Sequence, residues 1–75
     1  MKERSPKEVG NIFKGLREEK GFSLDGLAQM TDGNLTASQI DLYEKGEETL
    51  PLIGFILMCQ ALEIENPDDI LYEEI

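Results

Sequence analysis

Thr36 and Gly46 bracket a stretch that carries its own start signal and its own stop signal, and no other feature narrows the fold so far. Thr36 can accept hydrogen bonds from the first free N–H groups of a helix, and Gln39, three residues on, can close a capping box. Gly46 suits the left-handed position that ends a helix. On a helix over 37–45, Ile40 and Tyr43 lie three apart and point inward together. Thr36, Ala37, Ser38, Gln39, Asp41 and Leu42 are then left facing outward at or near its N-terminal end. A short helix presenting small polar side chains at that end has the form that a DNA major groove accepts. None of those outward residues is Arg or Lys. The rest of the chain reads as the scaffold that holds this helix.

The scaffold is expected to be four more helices. Ser5-Pro6-Lys7-Glu8 is a start signal, with Ser5 as N-cap, Pro6 at the first helical position and Glu8 closing the box. Val9, Ile12, Phe13 and Leu16 follow at one-faced helical spacing, which predicts a helix over 6–20 ended by Gly21. Residues 1–4 are expected to fray. Gly10 and Gly15 each weaken the helix by roughly 1 kcal/mol relative to Ala, although a small residue permits close packing. Ser23 caps a second helix over 24–31, with Leu24, Leu27 and Ala28 as its stripe. Asp32-Gly33-Asn34 is a turn whose residues tolerate positive φ, and Leu35 returns to the core. After the polar Glu47-Glu48-Thr49, Pro51 begins a helix over 51–62. Its expected stripe is Leu52, Phe55, Ile56, Cys59 and Leu62, with Ile53, Leu57 and Met58 on or beyond the flanks. A helix apolar nearly all round needs cover on more than one side. Asn66 is expected to cap a last helix over 67–72, where Asp68 and Asp69 complement the helix dipole. No stretch alternates as a strand would.

Composition removes whole classes of function. The chain has 75 residues and 40% hydrophobic content, enough for a single domain over 1–75 with one small core. One cysteine excludes an internal disulfide and a cysteine metal cluster, and the absence of His excludes His catalysis and His ligands. No phosphate loop or metal spacing occurs, so no catalytic residue, metal or cofactor is assigned. Cys59 lies on the core stripe and reads as a small buried apolar residue. The longest apolar run, Leu50 to Cys59, is about half of what a membrane span needs, so the expectation is a cytoplasmic protein with no membrane partner. The net charge is −9 and is unevenly spread: every basic residue lies at or before Lys45, and residues 46–75 contain only acids. Such a balance argues against a non-specific nucleic-acid glue.

Five short helices, with the second and third joined by a tight turn, make an all-α helix-turn-helix architecture. The order Leu16-Arg17-Glu18-Glu19-Lys20-Gly21-Phe22-Ser23, Leu27-Ala28, Ile40-x-x-Tyr43-Glu44-Lys45-Gly46, Ala61-Leu62-Glu63-Ile64 and Ile70-Leu71 resembles the lambda-repressor/Cro-like, or XRE-type, helix-turn-helix family. The resemblance covers residues 9–71. It implies a compact five-helix lambda-repressor-like domain that binds double-stranded DNA, belongs to a transcriptional regulator and acts as a homodimer. Arg17 and Glu44 match a pair that in the family bridges the first and third helices. Thr36, Ser38 and Gln39 match positions that face DNA, where Gln39 can pair with adenine and the two hydroxyls with phosphates. Lys45 matches a position near the backbone, and Asn34 either reaches a phosphate or serves the turn.

The chain also departs from that pattern. The turn before the third helix is longer than the family's commonest spacing. Ala37, Asp41 and Leu42 stand where relatives often carry DNA-reaching residues, although a carboxylate such as Asp41 can accept from cytosine N4. Between Asn34 and Glu48 the chain has one base and four acids. Two readings follow: a sequence-specific DNA-binding regulator, or an acidic interaction module of the same fold that has lost DNA and serves as accessory or antagonist of a regulator. Ile53 and Leu57, four apart with Gly54 beside them, are expected to form an exposed face for a second copy or a protein partner, unless Tyr72–Ile75 folds back over them.

Overall fold

A computed structural model of the protein describes residues 2–73. Five helices are present: α1 (Pro6–Glu19), α2 (Leu24–Met30), α3 (Ala37–Lys45), α4 (Leu52–Ala61) and α5 (Asp68–Leu71). Two short strands, β1 (Lys2–Glu3) and β2 (Tyr72–Glu73), join the ends of the chain. The fold is thus all-α with a helix-turn-helix formed by α2 and α3.

Three of the five helix starts are held by side-chain caps. Both expected capping boxes are made. Glu8 N–H donates to Ser5 Oγ at 3.2 Å while Ser5 N–H donates to Glu8 Oε1 at 3.2 Å. Gln39 N–H donates to Thr36 Oγ1 at 3.1 Å, and Thr36 N–H donates to Gln39 Oε1 at 2.9 Å. Ser23 caps α2 through Gly26 N–H. Between α2 and α3, Asp32 and Gly33 take φ of 56° and 74°, which reverses the chain in a short span. Buried Thr31 locks that turn: its hydroxyl donates to Ala28 O at 2.7 Å and accepts from Leu35 N–H at 3.1 Å. Asn66, by contrast, makes no side-chain cap on α5.

The core gathers Phe13, Leu27, Leu35, Ile40, Tyr43, Phe55, Met58, Cys59, Leu62 and Ile70, with Phe13 and Phe55 edge to face at 5.6 Å. Burial pushes the Cys59 thiol pKa up, as befits a packing residue.

Three expectations are corrected here. First, residues 2–4 are not frayed, and the chain does contain strands. Lys2 pairs with Glu73 and Glu3 with Tyr72 in an antiparallel ladder, and Arg4 N–H donates to Leu71 O at 2.8 Å. A two-residue ladder is too short to leave an alternating pattern. Second, that pairing takes Tyr72 and Glu73 to the N-terminus rather than back over α4; Glu74 and Ile75 lie outside the described residues. Third, α4 sits at a different rotation from the one its stripe implied. Met58 is fully buried, Leu57 is half-buried against the core and Gly54 is buried, whereas Leu52 and Ile56 are exposed. The expected patch of Ile53, Gly54 and Leu57 is therefore replaced by Leu52, Ile53 and Ile56. Apolar residues surround this helix almost completely, so a stripe that included Leu52 and Ile56 was as regular as the one the core selected.

The two α1 glycines differ sharply in their surroundings. A Cβ on Gly10 would run into the backbone carbonyls of Tyr43 and Glu44, so α1 and α3 cross there backbone against side-chain-free backbone. A Cβ on Gly15 would meet nothing within 4 Å. Gly10→Ala is expected to cost about 3 kcal/mol or more, because backbone must move to admit the methyl group. Gly15→Ala is expected to stabilise by about 0.5–1 kcal/mol through helix propensity alone. Urea denaturation of the two variants checks both signs; equal effects would contradict the close crossing.

Candidate nucleic-acid interface

Helix α3 is held by its inner side and open on its outer side. Ile40, Tyr43 and Glu44 are buried and face α1 and α2. At about 100° per residue, Ser38, Leu42 and Lys45 then lie opposite that seam, with Gln39 and Asp41 on the two flanks. Thr36, Ser38, Gln39 and Lys45 are exposed, while Asp41 and Leu42 are half-buried. Both ends are fixed. The capping box closes the N-terminus, and Gly46, with φ of 72°, closes the C-terminus. Gly46 also lies so close to Lys7 that a Cβ would come within 2.6 Å of its Cα. No side chain could be placed there without both backbone strain and collision.

The buried seam is electrostatic as well as apolar. Arg17 Nε donates to Glu44 Oε2 at 2.7 Å and its Nη2 to Glu44 Oε1 at 3.0 Å, a two-pronged fork. The remaining Nη1 donates to the carbonyl of Phe22 at 2.8 Å. One guanidinium therefore ties α1, the α1–α2 connection and α3. The Glu44 carboxylate raises the Arg17 pKa above its ordinary value through that hydrogen bond. Arg17 is 8% and Glu44 5% exposed, so Arg17 cannot also serve as a phosphate contact.

Several of the residues expected at DNA are partly committed elsewhere. The Gln39 carbonyl oxygen accepts from Thr36 N–H, which leaves its amide N–H groups as the outward function. Asn34 Nδ2 donates to Thr31 O at 2.8 Å, so this side chain braces the turn. Lys45 Nζ lies 2.8 Å from Asp41 Oδ2, and that hydrogen bond raises the lysine pKa. The pair neutralises the single base on the outward face of α3.

Two cations near α3 were not singled out by the α3 pattern. Lys7, Asn11 and Lys14, at i, i+4 and i+7 on α1, line one surface cleft with Asp41, Glu44 and Lys45. Among the described residues neither Lys7 nor Lys14 makes an ion pair. Their spacing on the polar side of α1 was the available signal, since a stripe at that interval shares one helix face.

No family model matches the sequence, and no curated protein matches it. The fold does match a solved one. The crystal structure of the DNA-binding domain of BldD superposes with a TM-score of 0.78 at 19% identity, covering 96% of this chain and 100% of that one. At that identity the likeness establishes the helix-turn-helix fold.

Breaking the Arg17–Glu44 pair from one side leaves the other charge buried. Arg17→Met or Glu44→Leu alone is expected to cost about 3–5 kcal/mol, and the double variant substantially less than the sum. Urea unfolding of the cycle measures the coupling; strictly additive costs would show that the pair does not hold α3.

Proposed function

We propose that this protein is a sequence-specific DNA-binding regulator in which α3 enters the major groove. The observation that carries this reading is the presentation of α3: a doubly capped helix, anchored on one side by Ile40, Tyr43 and Glu44, with Ser38, Gln39, Leu42 and Lys45 turned outward. A solved domain of the same fold bears the description DNA-binding. Gln39 is assigned to a base edge, donating from its amide nitrogen to an acceptor such as guanine O6 or thymine O4. Thr36 and Ser38 are assigned to phosphates, Leu42 to a thymine methyl and Asp41 to a cytosine amino group. Lys7, Lys14 and Lys45 supply the cations, with Lys45 exchanging Asp41 for a phosphate on binding. Asn34 stays with the turn.

So few cations make a weak electrostatic term, so a regulator of this kind gains from a second subunit, either another copy or a different protein. Among the described residues no helix is long and apolar enough to cross a membrane, and the cytoplasm is the compartment where such a regulator meets DNA. The absence of a catalytic constellation in the sequence accords with a binding protein.

A second reading has its own support. The segment from Asn34 to Glu48 carries one base against four acids, and that base is paired to Asp41. Under this reading the same fold is an interaction module without DNA.

Salt-titrated binding to genomic DNA fragments separates the two. The DNA reading predicts a specific complex whose log K falls with log salt at a slope of roughly −2 to −3, as about three phosphate contacts require. Lys7→Ala and Lys14→Ala should each flatten the slope by about 1. Gln39→Glu retains the cap acceptor and removes the outward donor. It should leave stability unchanged while costing about 1–3 kcal/mol of discrimination between sites. Absence of any complex at low salt would favour the interaction module.

A further inference from the structure

Beside the DNA reading, and sharing no residue with α3, a groove runs between α4 and the α5 region. Leu52, Phe55 and Ile56 form one wall, Ile64, Pro67 and Leu71 the other. Its α4 lip is strongly apolar and open to solvent: Leu52 is 72%, Ile53 69% and Ile56 43% exposed. Three large aliphatic side chains within five residues of one helix form a contiguous patch, unlike the scattered exposed residues of an ordinary surface. The chain does not cover this patch with its own C-terminal strand, because Tyr72 and Glu73 pair with Lys2 and Glu3.

The charged residues that line the groove, Glu63 and Asp68, are both acidic, Glu65 and Asp69 are exposed in the same α4–α5 region, and Arg4 lines the adjoining pocket that shares Leu52, Phe55 and Leu71. Charge then selects the occupant. A second copy docked about a two-fold axis would set the same patch against itself, acids facing acids. A partner that fits must be apolar at its centre and basic at its edges. We infer that the α4–α5 groove is a docking site for a cationic amphipathic helix of a protein partner, whose apolar anchors seat on Leu52, Ile56 and Ile64 while flanking Lys or Arg meet Glu63 and Asp68. α4 has ten residues, about 15 Å of helix, which matches anchors spaced i, i+4 and i+7 on the partner. The acidic half of this chain is thereby explained as a complementary surface as well as a solubilising one.

The test uses the full chain and a labelled Leu/Lys peptide of about eighteen residues with one apolar face, beside a scrambled peptide of the same composition and a Leu/Glu counterpart. Fluorescence anisotropy gives affinity, and amide shifts in the ¹⁵N-labelled protein give the site. The amphipathic Leu/Lys peptide is expected to bind about tenfold or more tightly than the scrambled one, because apolar anchors and charge act together. Its shifts should fall on Leu52, Ile56, Gln60 and Ile64, and the Leu/Glu peptide should not bind. Leu52→Ser with Ile56→Ser should weaken binding about tenfold, and Glu63→Gln with Asp68→Asn about two- to fivefold, the latter effect fading with salt. The charge variant and the shift map of the unaltered protein carry the test even where the serine variant folds poorly. Equal affinity for the scrambled peptide, shifts confined to another face, or a wild-type dimer in sedimentation that the serine pair dissolves would each overturn the proposal.

Discussion

The position of α3 depends on a single buried ion pair. Only Ile40 and Tyr43 give this nine-residue helix buried apolar side chains, too few to fix both its tilt and its rotation. The Arg17 guanidinium supplies what they lack. It grips both oxygens of Glu44 and holds the Phe22 carbonyl with its third nitrogen, so every side-chain nitrogen has a partner. Burying two charges stabilises a fold little by itself, and its return here is geometric. A planar fork fixes direction as well as distance, which a lysine ammonium would not do.

Side-chain-free backbone completes that geometry. Gly10 lets the α1 backbone approach the carbonyls at the end of α3, and Gly46 lets the chain leave α3 against Lys7. The pair and the two glycines press α1 and α3 together from opposite ends of one contact. One consequence is electrostatic. The same crossing brings Lys7 and Lys14 beside Asp41 and Lys45, so α1 lends cations to a helix that has almost none of its own.

Legibility in the sequence followed how local the deciding physics is. Ser5 with Glu8, and Thr36 with Gln39, announce their helices because a capping box is complete within four residues. Gly46 announces the end of α3 for the same reason. Arg17 and Glu44 are 27 positions apart, and only a family resemblance joined them in the sequence; nothing in either neighbourhood does so. α4 was legible as a helix but not in its rotation. Its sole strongly polar residue is Gln60, so the spacing placed Leu52 on the core stripe and Met58 on its flank, whereas packing, with Phe55 edge to face on Phe13, buries Met58 and leaves Leu52 exposed. The Lys2–Glu3 and Tyr72–Glu73 ladder was invisible, since two residues carry no period. Among the candidate DNA contacts, residue types were readable, but the ties of Gln39 to its own cap and of Lys45 to Asp41 required coordinates.

Two faces of one small domain thus carry different chemistry. The α3 face is polar, sparsely charged and bordered by Lys7 and Lys14; the α4–α5 face is apolar within an acidic rim. DNA binding is proposed for the first. Amide shift mapping of the ¹⁵N-labelled protein, titrated with a duplex selected from genomic fragments at low salt, locates the contact. Perturbations are expected to concentrate at Thr36, Ser38, Gln39, Leu42 and Lys45, with Lys7 and Lys14 at the edge. Perturbations confined to α4 and α5, or none at all, would contradict the proposal.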